Sequence, residues 1–535
     1  MERFALAAGG EDLASPVFGF LLVICCAFFF CLIVGVRNAD DQTGDFFAAN
    51  RSLSVGRNTL PMAGDYILVT ALLVPVGSVA LGGYDGMVMA MCSVVGLVVL
   101  YVLAEPLRNT GRFTLGGVLE SRAPGRAVRL SGAVVTLAVC APLTVVQLTV
   151  AGDATAYLLD LSGAGAAQVC TVMIGLLMIT FAAFGGMRGT TVLAAGKAVL
   201  LVAAFAGASV VIVNRFDWDL GALLAAAFEG SGRGEDYHGF AHLFGDSTTG
   251  RLDFISVSLT VAIGSGMLPA MIMRISAARD GRTARRSARN AVLGYTLFAG
   301  LTIILGLGAG AIVGGQTLAA DDPEGNSALF LLSDALADGR DGALFTLISC
   351  AVFLTALGGV SGLTLAVSAT LAHDVYAKAR RRHRGGDERE VRVARWAVLA
   401  FGVASVVLAV LLHGWSILFL ATYAIAVASS VILPAVVYSL FWKRFHRTGL
   451  LWMVYGGLAC CTVLQLSSPT VSGDPTALFA DQDFQWFPLR HIGIVALPVT
   501  LLLGWIGSRV GRRASAETGG DAKAEARILA GLDTV

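Results

Sequence analysis

The chain has little charge for its length. Charged residues make up 14% of its 535 residues and hydrophobic residues 56%, whereas a soluble domain has about 25% charged residues. A soluble protein of this length folds into several domains with charged surfaces, and this chain has too few charges to cover them. The composition indicates an integral membrane protein and excludes a disordered chain, a coiled coil and collagen.

Cysteines in metal-binding or disulfide spacing are also missing. All nine lie inside apolar stretches, so we expect small buried residues rather than a disulfide framework or a zinc site. A Walker loop is absent from the sequence, so this chain alone is not expected to hydrolyse ATP. The cysteines are Cys25, Cys26, Cys31, Cys92, Cys140, Cys170, Cys350, Cys460 and Cys461.

Long apolar runs are what the sequence has in abundance. A helical bilayer crossing needs about 20 apolar residues, and thirteen runs approach or exceed this length. They lack the period-two alternation of barrel strands, so we predict thirteen membrane helices. The predicted spans are 15–36, 58–82, 86–104, 130–157, 165–184, 190–213, 254–273, 291–314, 343–372, 396–413, 415–441, 449–466 and 491–508.

Lys and Arg are distributed unevenly among the segments that connect these spans. If the N-terminus is outside, the inner segments hold 32 of the 38 basic residues and the outer segments hold 6. Because inner loops of membrane proteins are rich in Lys and Arg, we predict an outer N-terminus, an inner C-terminus and no basic residue within the spans. The same rule explains the basic runs of the inner loops, so we expect a bilayer environment and no nucleic-acid partner.

Two spans are interrupted by Gly and Pro at matching places. Span 2 contains Gly64, Pro75 and Gly77, and span 7 reads Ala262-Ile-Gly-Ser-Gly-Met-Leu-Pro-Ala270. Paired broken helices five spans apart are typical of transporters with inverted repeats, which bind ions and solutes near the bilayer centre. The pattern predicts a 5+5 repeat over spans 2–11, although Gly and Pro are also common in membrane helices without such a role.

Two acidic side chains, Asp65 and Asp153, lie within the predicted spans. Asp65 lies in the interrupted part of span 2, and a carboxylate in hydrocarbon is costly, so it is a cation ligand, a proton carrier or a helix cap. Asp153 is expected near the outer surface. Gln147 makes either an interhelical hydrogen bond or a substrate contact. Thr355 and Ser361 in span 9 suit either Na⁺ binding or small-residue helix packing.

Several short motifs follow one another in a fixed order between residues 44 and 450. They include Ala63-Gly-Asp-Tyr66, Ala104-Glu-Pro-Leu-Arg108, Phe184-Gly-Gly-Met187 and Leu371-Ala-His-Asp-Val-Tyr376. In order and spacing they resemble the sodium:solute symporter family, in particular its acetate (monocarboxylate) permease branch. The resemblance implies an all-α membrane protein with a LeuT-type 5+5 inverted repeat.

The resemblance also implies an ion site between spans 2 and 9, where carbonyl groups of span 2 would face span 9. Na⁺ or H⁺ is the expected coupling ion, and Na⁺ is the possible metal. The chain has Gly358-Gly359 where sodium-binding members have adjacent hydroxyls, which leaves water, Ser361 or proton transfer through Asp65. The expected ion-coupling residues are Gly64, Asp65, Ile67, Thr355, Gly358, Gly359 and Ser361.

Two further departures from the branch concern the substrate. Ala270 stands where the branch has His, and Ile432 stands where it has Asn. We expect a symporter of a small monocarboxylate such as acetate, propionate or pyruvate. The alternatives are a symporter of a neutral or zwitterionic solute (proline, a sugar or a vitamin) and a sensor that has lost transport.

Without a buried cation, the substrate carboxylate would bind half-helix N-termini and hydroxyl groups. The chain is not expected to be an enzyme, to hold an organic cofactor or to need an obligate protein partner. The expected substrate-binding residues are Tyr66, Thr70, Gln147 and Ser265.

The predicted spans divide the chain into six parts. The two repeats are expected to form the transport core, and the flanking helices are accessory. The parts are an accessory helix and linker (1–57), the first repeat (58–213), an outer solvated loop (214–253), the second repeat (254–441), two accessory helices (442–508) and an inner tail (509–535).

Overall fold

A computed structural model describes most of the chain after its first predicted span. Within the described residues the chain is helical, apart from loops and two isolated bridges. The span 15–36, Cys25, Cys26, Cys31 and most of the tail 509–535 lie outside them. The described residues are 43–158, 161, 165–336, 343–377, 387–473, 477–479 and 481–512.

The helices are numbered here in chain order. The first eight are α1 (Thr43–Ala48), α2 (Val55–Tyr66), α3 (Thr70–Gly82), α4 (Tyr84–Asn109), α5 (Leu115–Glu120), α6 (Arg126–Leu158), α7 (Ala166–Arg215) and α8 (Leu220–Ser231). The others are α9 (Thr248–Gly264), α10 (Pro269–Ser276), α11 (Gly281–Ile312), α12 (Gly315–Asp321), α13 (Ala328–Leu336), α14 (Ala343–Ala369), α15 (Asp387–Leu411), α16 (Ile417–Val427), α17 (Leu433–Phe441), α18 (Arg447–Leu451), α19 (Gly457–Leu466) and α20 (Gly493–Arg512).

Short helical segments of other types join several of these helices. Two 3-10 segments lie beside α1 and between α9 and α10, and a third lies in the outer loop. Three π-helical segments continue α14, join α16 to α17 and join α18 to α19. Their bounds are Ala49–Arg51, Gly234–Tyr237, Ser265–Met267, Thr370–Ala377, Ala428–Ile432 and Trp452–Gly456.

Twelve of the thirteen predicted spans coincide with helical stretches of the structure. Spans 165–184 and 190–213 form the two parts of α7, which is 50 residues long. They are separated at Gly186, whose backbone is non-helical with φ 51° and ψ −163°. Because glycine adopts a positive φ without steric cost, it changes the direction of the chain here without an intervening loop.

The centre of the bundle is α14. In its most apolar stretch 83% of the residues are buried, against 33% for α15 and for α20. It packs against α6 and α7, while α11 packs against α2, α3 and α4. The peripheral helices therefore expose apolar side chains outward, as a helix facing lipid does, and the central ones enclose the polar residues considered next.

Two basic side chains lie inside the bundle. Lys197 in α7 and Arg274 in α10 are each 1% exposed. The prediction that no basic residue lies within the spans is therefore wrong for both. Lys197 lies within the predicted span 190–213 but was counted with the inner segment 185–197, and Arg274 was counted with the inner segment 274–290. In the structure both residues lie in helices that bury them.

Candidate substrate and ion site

The first broken helix lies between α2 and α3, whose axes differ by 56°. Ile67, just after α2, has an extended backbone with ψ 98°, which frees backbone groups from the helical pattern. Two side chains from neighbouring helices bind them. The Val69 N–H donates to Oε1 of Gln147 at 3.2 Å, and Nζ of Lys197 donates to the Ile67 carbonyl at 3.0 Å.

The second broken helix lies between α9 and α10. Leu268 is extended, with ψ 140°, and Pro269 occupies the first position of α10. Proline has no N–H to donate and its fixed φ suits a helix start, so the residue pair ends one half-helix and begins the other. Both spans that the sequence predicts to be broken are broken in the structure.

Asp65 is paired with Arg274 and is not a lone carboxylate. The Arg274 Nε donates to Oδ2 of Asp65 at 2.6 Å, and its Nη2 contacts the same oxygen. Its Nη1 donates to the Thr191 hydroxyl at 2.5 Å. This buried network ties α2 to α10 and α7. The two charged residues are separated by 209 positions, and a local sequence pattern carries no sign of such a pairing.

The two glycines of the predicted ion site face polar side chains of other helices. A Cβ atom added to Gly358 would lie 2.9 Å from Nζ of Lys197, and one added to Gly359 would lie 2.6 Å from Oε1 of Gln147. Such distances are shorter than carbon side chains tolerate. Gly358 and Gly359 therefore give Lys197 and Gln147 the room to reach the break between α2 and α3.

The hydroxyl groups of the predicted ion site bond within their own helix. Thr355 donates to the carbonyl of Ala351 at 2.7 Å, and Ser361 donates to that of Leu357 at 2.6 Å. Both residues are fully buried in α14. The structure thus brings Ile67 and Gly358 together with Lys197 between them, and the assignment of these residues to ion coupling remains a prediction.

A cavity of about 80 Å³ lies beside the first break. Its wall is apolar apart from hydroxyl-bearing residues, and no acidic or basic residue of the described chain lines it. Three predicted substrate-binding residues line this cavity. Gln147 lies outside the lining and accepts a hydrogen bond from the Val69 N–H at the break. The hydroxyl-bearing residues are Tyr66, Thr70, Ser93, Ser265, Tyr295 and Thr422.

Tyr66 connects the two broken helices across this cavity. Its hydroxyl donates to the carbonyl of Ser93 and lies 2.7 Å from Oγ of Ser265. Its ring meets that of Tyr295 edge-on, with the centroids 4.7 Å apart. Ser93 and Tyr295 are not among the residues predicted from the sequence, because single hydroxyl residues in apolar spans have no local pattern that marks them.

The remaining predicted positions lie away from the cavity. Ala270 and Ile432, where the chain departs from the acetate branch, are not among its lining residues. Asp153 has a side chain that is 45% exposed and lies with Oδ1 3.3 Å from Nε2 of His413. Its exposure agrees with the position near a surface that the sequence predicts.

One group of possible metal ligands occurs among the described residues. The ligand atoms of Asp236, His242 and Asp246, in the loop 214–253, lie within 4.8 Å of one another. Both carboxylates are exposed, and exposed acidic groups are usually solvated without a metal. The group is distant in the chain from the broken helices, and we assign no metal to it.

Comparison with known proteins agrees with this architecture. Residues 46–457 match the model of the Sodium:solute symporter family. A protein of Corynebacterium glutamicum named "Monocarboxylic acid transporter" is 34% identical, with 94% of this chain and 93% of that protein covered. The "Uncharacterized symporter YwcA" of Bacillus subtilis is also 34% identical, with 87% and 89% covered.

Two solved structures share the fold at low sequence identity. One is a Na⁺-coupled sialic acid symporter in a substrate-bound outward-open state, with a TM-score of 0.68, 13% identity, and 94% of this chain and 98% of that chain covered. The other is a transporter of the nucleobase-cation-symport-1 family, with a TM-score of 0.58, 12% identity, and 90% and 98% covered. They confirm the predicted LeuT-type fold.

Proposed function

We propose that this chain, which belongs to the sodium:solute symporter family, is a secondary symporter that imports a small monocarboxylate of the acetate, propionate or pyruvate class. Family and fold are those of membrane transporters and not of enzymes. The observation that carries the proposal is the small, uncharged cavity at the start of α3. A cation gradient would drive transport through alternating access at this cavity.

The size of the cavity favours a solute of few atoms. One water needs about 10–15 Å³ of such space, and the cavity offers about 80 Å³. This volume suits an acid with four to six non-hydrogen atoms, which is about the size of acetate or pyruvate. A sugar is much larger, so the volume argues against it.

The groups around the cavity favour an anion. Thr70 is the first residue of α3 and lines the cavity, so the positive end of the helix dipole borders the solute. Residues Tyr66, Ser265 and Thr422 surround the same space. Their hydroxyl groups donate to backbone carbonyls in this structure, and each would donate to a bound carboxylate after rotating its O–H. The apolar wall suits a short alkyl chain. The name of the Corynebacterium relative supports the same substrate class.

The same wall argues against a zwitterionic solute such as proline. The positive charge of an amino group bound out of water is compensated by a carboxylate, and no Asp or Glu of the described residues lines the cavity. Ala270 and Ile432, which motivate this alternative, lie outside the lining. The monocarboxylate therefore fits the site better than the alternative does.

The direct test is uptake by proteoliposomes that contain the purified full chain. Labelled acetate, propionate and pyruvate are supplied with an imposed ion gradient and membrane potential, and unlabelled proline, glucose and longer acids compete. We expect accumulation of the short acids and competition among them. If no short acid accumulates under any gradient, or if proline or glucose competes as strongly, the proposal is wrong.

Thr70→Val tests whether the cavity binds the solute. Loss of a hydrogen bond to a charged group costs about 1.5–3 kcal/mol, so we expect KM for acetate to rise about tenfold or more. Thr296→Val is the matched control, because Thr296 is an exposed residue of α11 whose hydroxyl bonds only its own helix. An unchanged KM in Thr70→Val contradicts a role of this hydroxyl in binding.

A further inference from the structure

The ammonium group of Lys197 lies where the family resemblance implies a bound Na⁺. Its Nζ donates to the carbonyl of Ile67 at 3.0 Å, and this carbonyl is one of the expected ion ligands. The residue is 1% exposed. It is one of only four lysines in the sequence. A positive charge is thus already present between the first broken helix and α14, and it is covalently attached to α7.

Gly358 shows that the site is shaped around this side chain. A Cβ atom at Gly358 would lie 2.9 Å from Nζ of Lys197 and 3.1 Å from its Cδ. A serine there would require the end of the Lys197 side chain to leave the position it occupies. The space that a hydroxyl-bearing side chain at position 358 would need is thus filled by the ammonium group of Lys197.

The charges around Lys197 leave no compensation for a second cation. In the described part of the chain, Asp65 and Arg274 are the charged groups that act on its ammonium. Asp65 is already bonded by Arg274, so one carboxylate faces two buried cations. Adding Na⁺ beside them would bring like charges together in a medium of low dielectric constant, where repulsion is strong.

We propose that the ammonium of Lys197 is a built-in cation of the site between α2, α7 and α14, and that Na⁺ does not bind there. The proposal extends to transport, which is independent of Na⁺ and is driven by another ion. The uptake test of this proposal rests on the proposed transport function. Its binding test does not depend on the identity of the solute.

The first experiment measures ²²Na⁺ binding to the purified full chain. The wild-type protein is expected to show no saturable binding, whereas Lys197→Ala combined with Gly358→Ser removes the ammonium, supplies a hydroxyl and is expected to gain saturable binding. Lys443→Ala is the matched control, because Lys443 is an exposed residue, and it should behave like the wild type. The proposal is overturned if the wild type and the Lys443→Ala control both bind Na⁺ saturably. This outcome does not depend on whether the double variant folds.

The second experiment measures acetate uptake by wild-type proteoliposomes at fixed pH and fixed membrane potential. Because an ion that does not bind cannot shift the transport equilibrium, replacing Na⁺ by N-methylglucamine should change the rate less than about twofold. A loss of about tenfold or more, with uptake restored by Na⁺, would overturn the inference and leave the monocarboxylate function intact. Absence of uptake under all conditions would instead contradict the proposed function, and the ²²Na⁺ binding would still decide the role of Lys197.

Discussion

At the scale of single residues, the fate of Asp65 shows how a buried charge depends on its partner. A carboxylate in an apolar span suggests a proton carrier, a cation ligand or a cap. The structure gives it a guanidinium partner, Arg274, which also bonds Thr191. Asp65 therefore joins the two broken helices, and any movement of one relative to the other must carry or break this contact.

We predict that Asp65→Asn destabilises the protein and prevents driven uptake. Removing one partner of a buried ion pair leaves the other charge uncompensated, which costs about 3–5 kcal/mol. Unfolding of the purified variant in detergent measures the stability, and proteoliposome uptake measures the transport. We expect Gly359→Ser to reduce uptake less, because its side chain displaces Gln147, an uncharged residue, and leaves no buried charge without its partner.

The control for this variant is Glu105→Gln. Oε2 of Glu105 lies 3.3 Å from Nη1 of Arg285, and both side chains are partly exposed. Because exposed ion pairs contribute little, the unfolding midpoint should hardly change. Asp65→Asn protein with normal stability and normal uptake would show that the pair with Arg274 is dispensable.

At the scale of secondary-structure elements, the close contact between α2 and α7 positions Lys197 beside the break. A Cβ atom added to Gly64 would lie 2.0 Å from the carbonyl oxygen of Ala194. The two helix backbones thus touch where Gly64 has no side chain. This contact lies three residues before Lys197 along α7 and explains why its ammonium reaches the carbonyl of Ile67.

We predict that Gly64→Ala destabilises the protein by about 1–3 kcal/mol, because overpacking against a backbone atom forces the helices apart. Gly196→Ala on α7 is the matched control, since a Cβ there has no neighbour within 4 Å. Alanine favours a helix over glycine by about 1 kcal/mol, so this control should be unchanged or more stable. Thermal unfolding in detergent compares the two variants, and equal loss in both would refute the contact.

At the scale of the whole molecule, the distribution of basic residues still predicts orientation. Inner segments are expected to hold 32 basic residues and outer segments 6. The buried positions of Lys197 and Arg274 remove two of the 32, and the asymmetry stays strong. The prediction therefore stays the same, with the loop 214–253 outside and the segment before α11 inside.

We predict that a cysteine at position 233 reacts with a membrane-impermeant maleimide on intact cells and that one at position 282 does not. The variants are Arg233→Cys and Arg282→Cys. Arg233 is an exposed residue of the loop 214–253, and Arg282 is an exposed residue in the first turn of α11. Permeabilised cells provide the control, in which both must react. Labelling of position 282 alone on intact cells would reverse the orientation.

The sequence by itself determined the membrane class, the helix spans and the two broken helices. These follow from local composition, because a bilayer requires about 20 apolar residues per crossing and Gly or Pro weakens a helix wherever it occurs. The same local order carried the family resemblance. Tyr66, Thr70 and Ser265, which line the cavity, were predicted as substrate-binding residues because they lie in or beside the predicted breaks.

Only the tertiary structure decided which groups meet at those breaks. Arg274 reaches Asp65 across 209 positions of the chain, and Lys197 reaches Ile67 across 130. In the sequence both basic residues were counted at the ends of predicted inner segments, where a solvated charge has little free-energy cost and is common. Their burial follows from the packing of α7 and α10 against α2 and α14, which no single stretch of sequence contains.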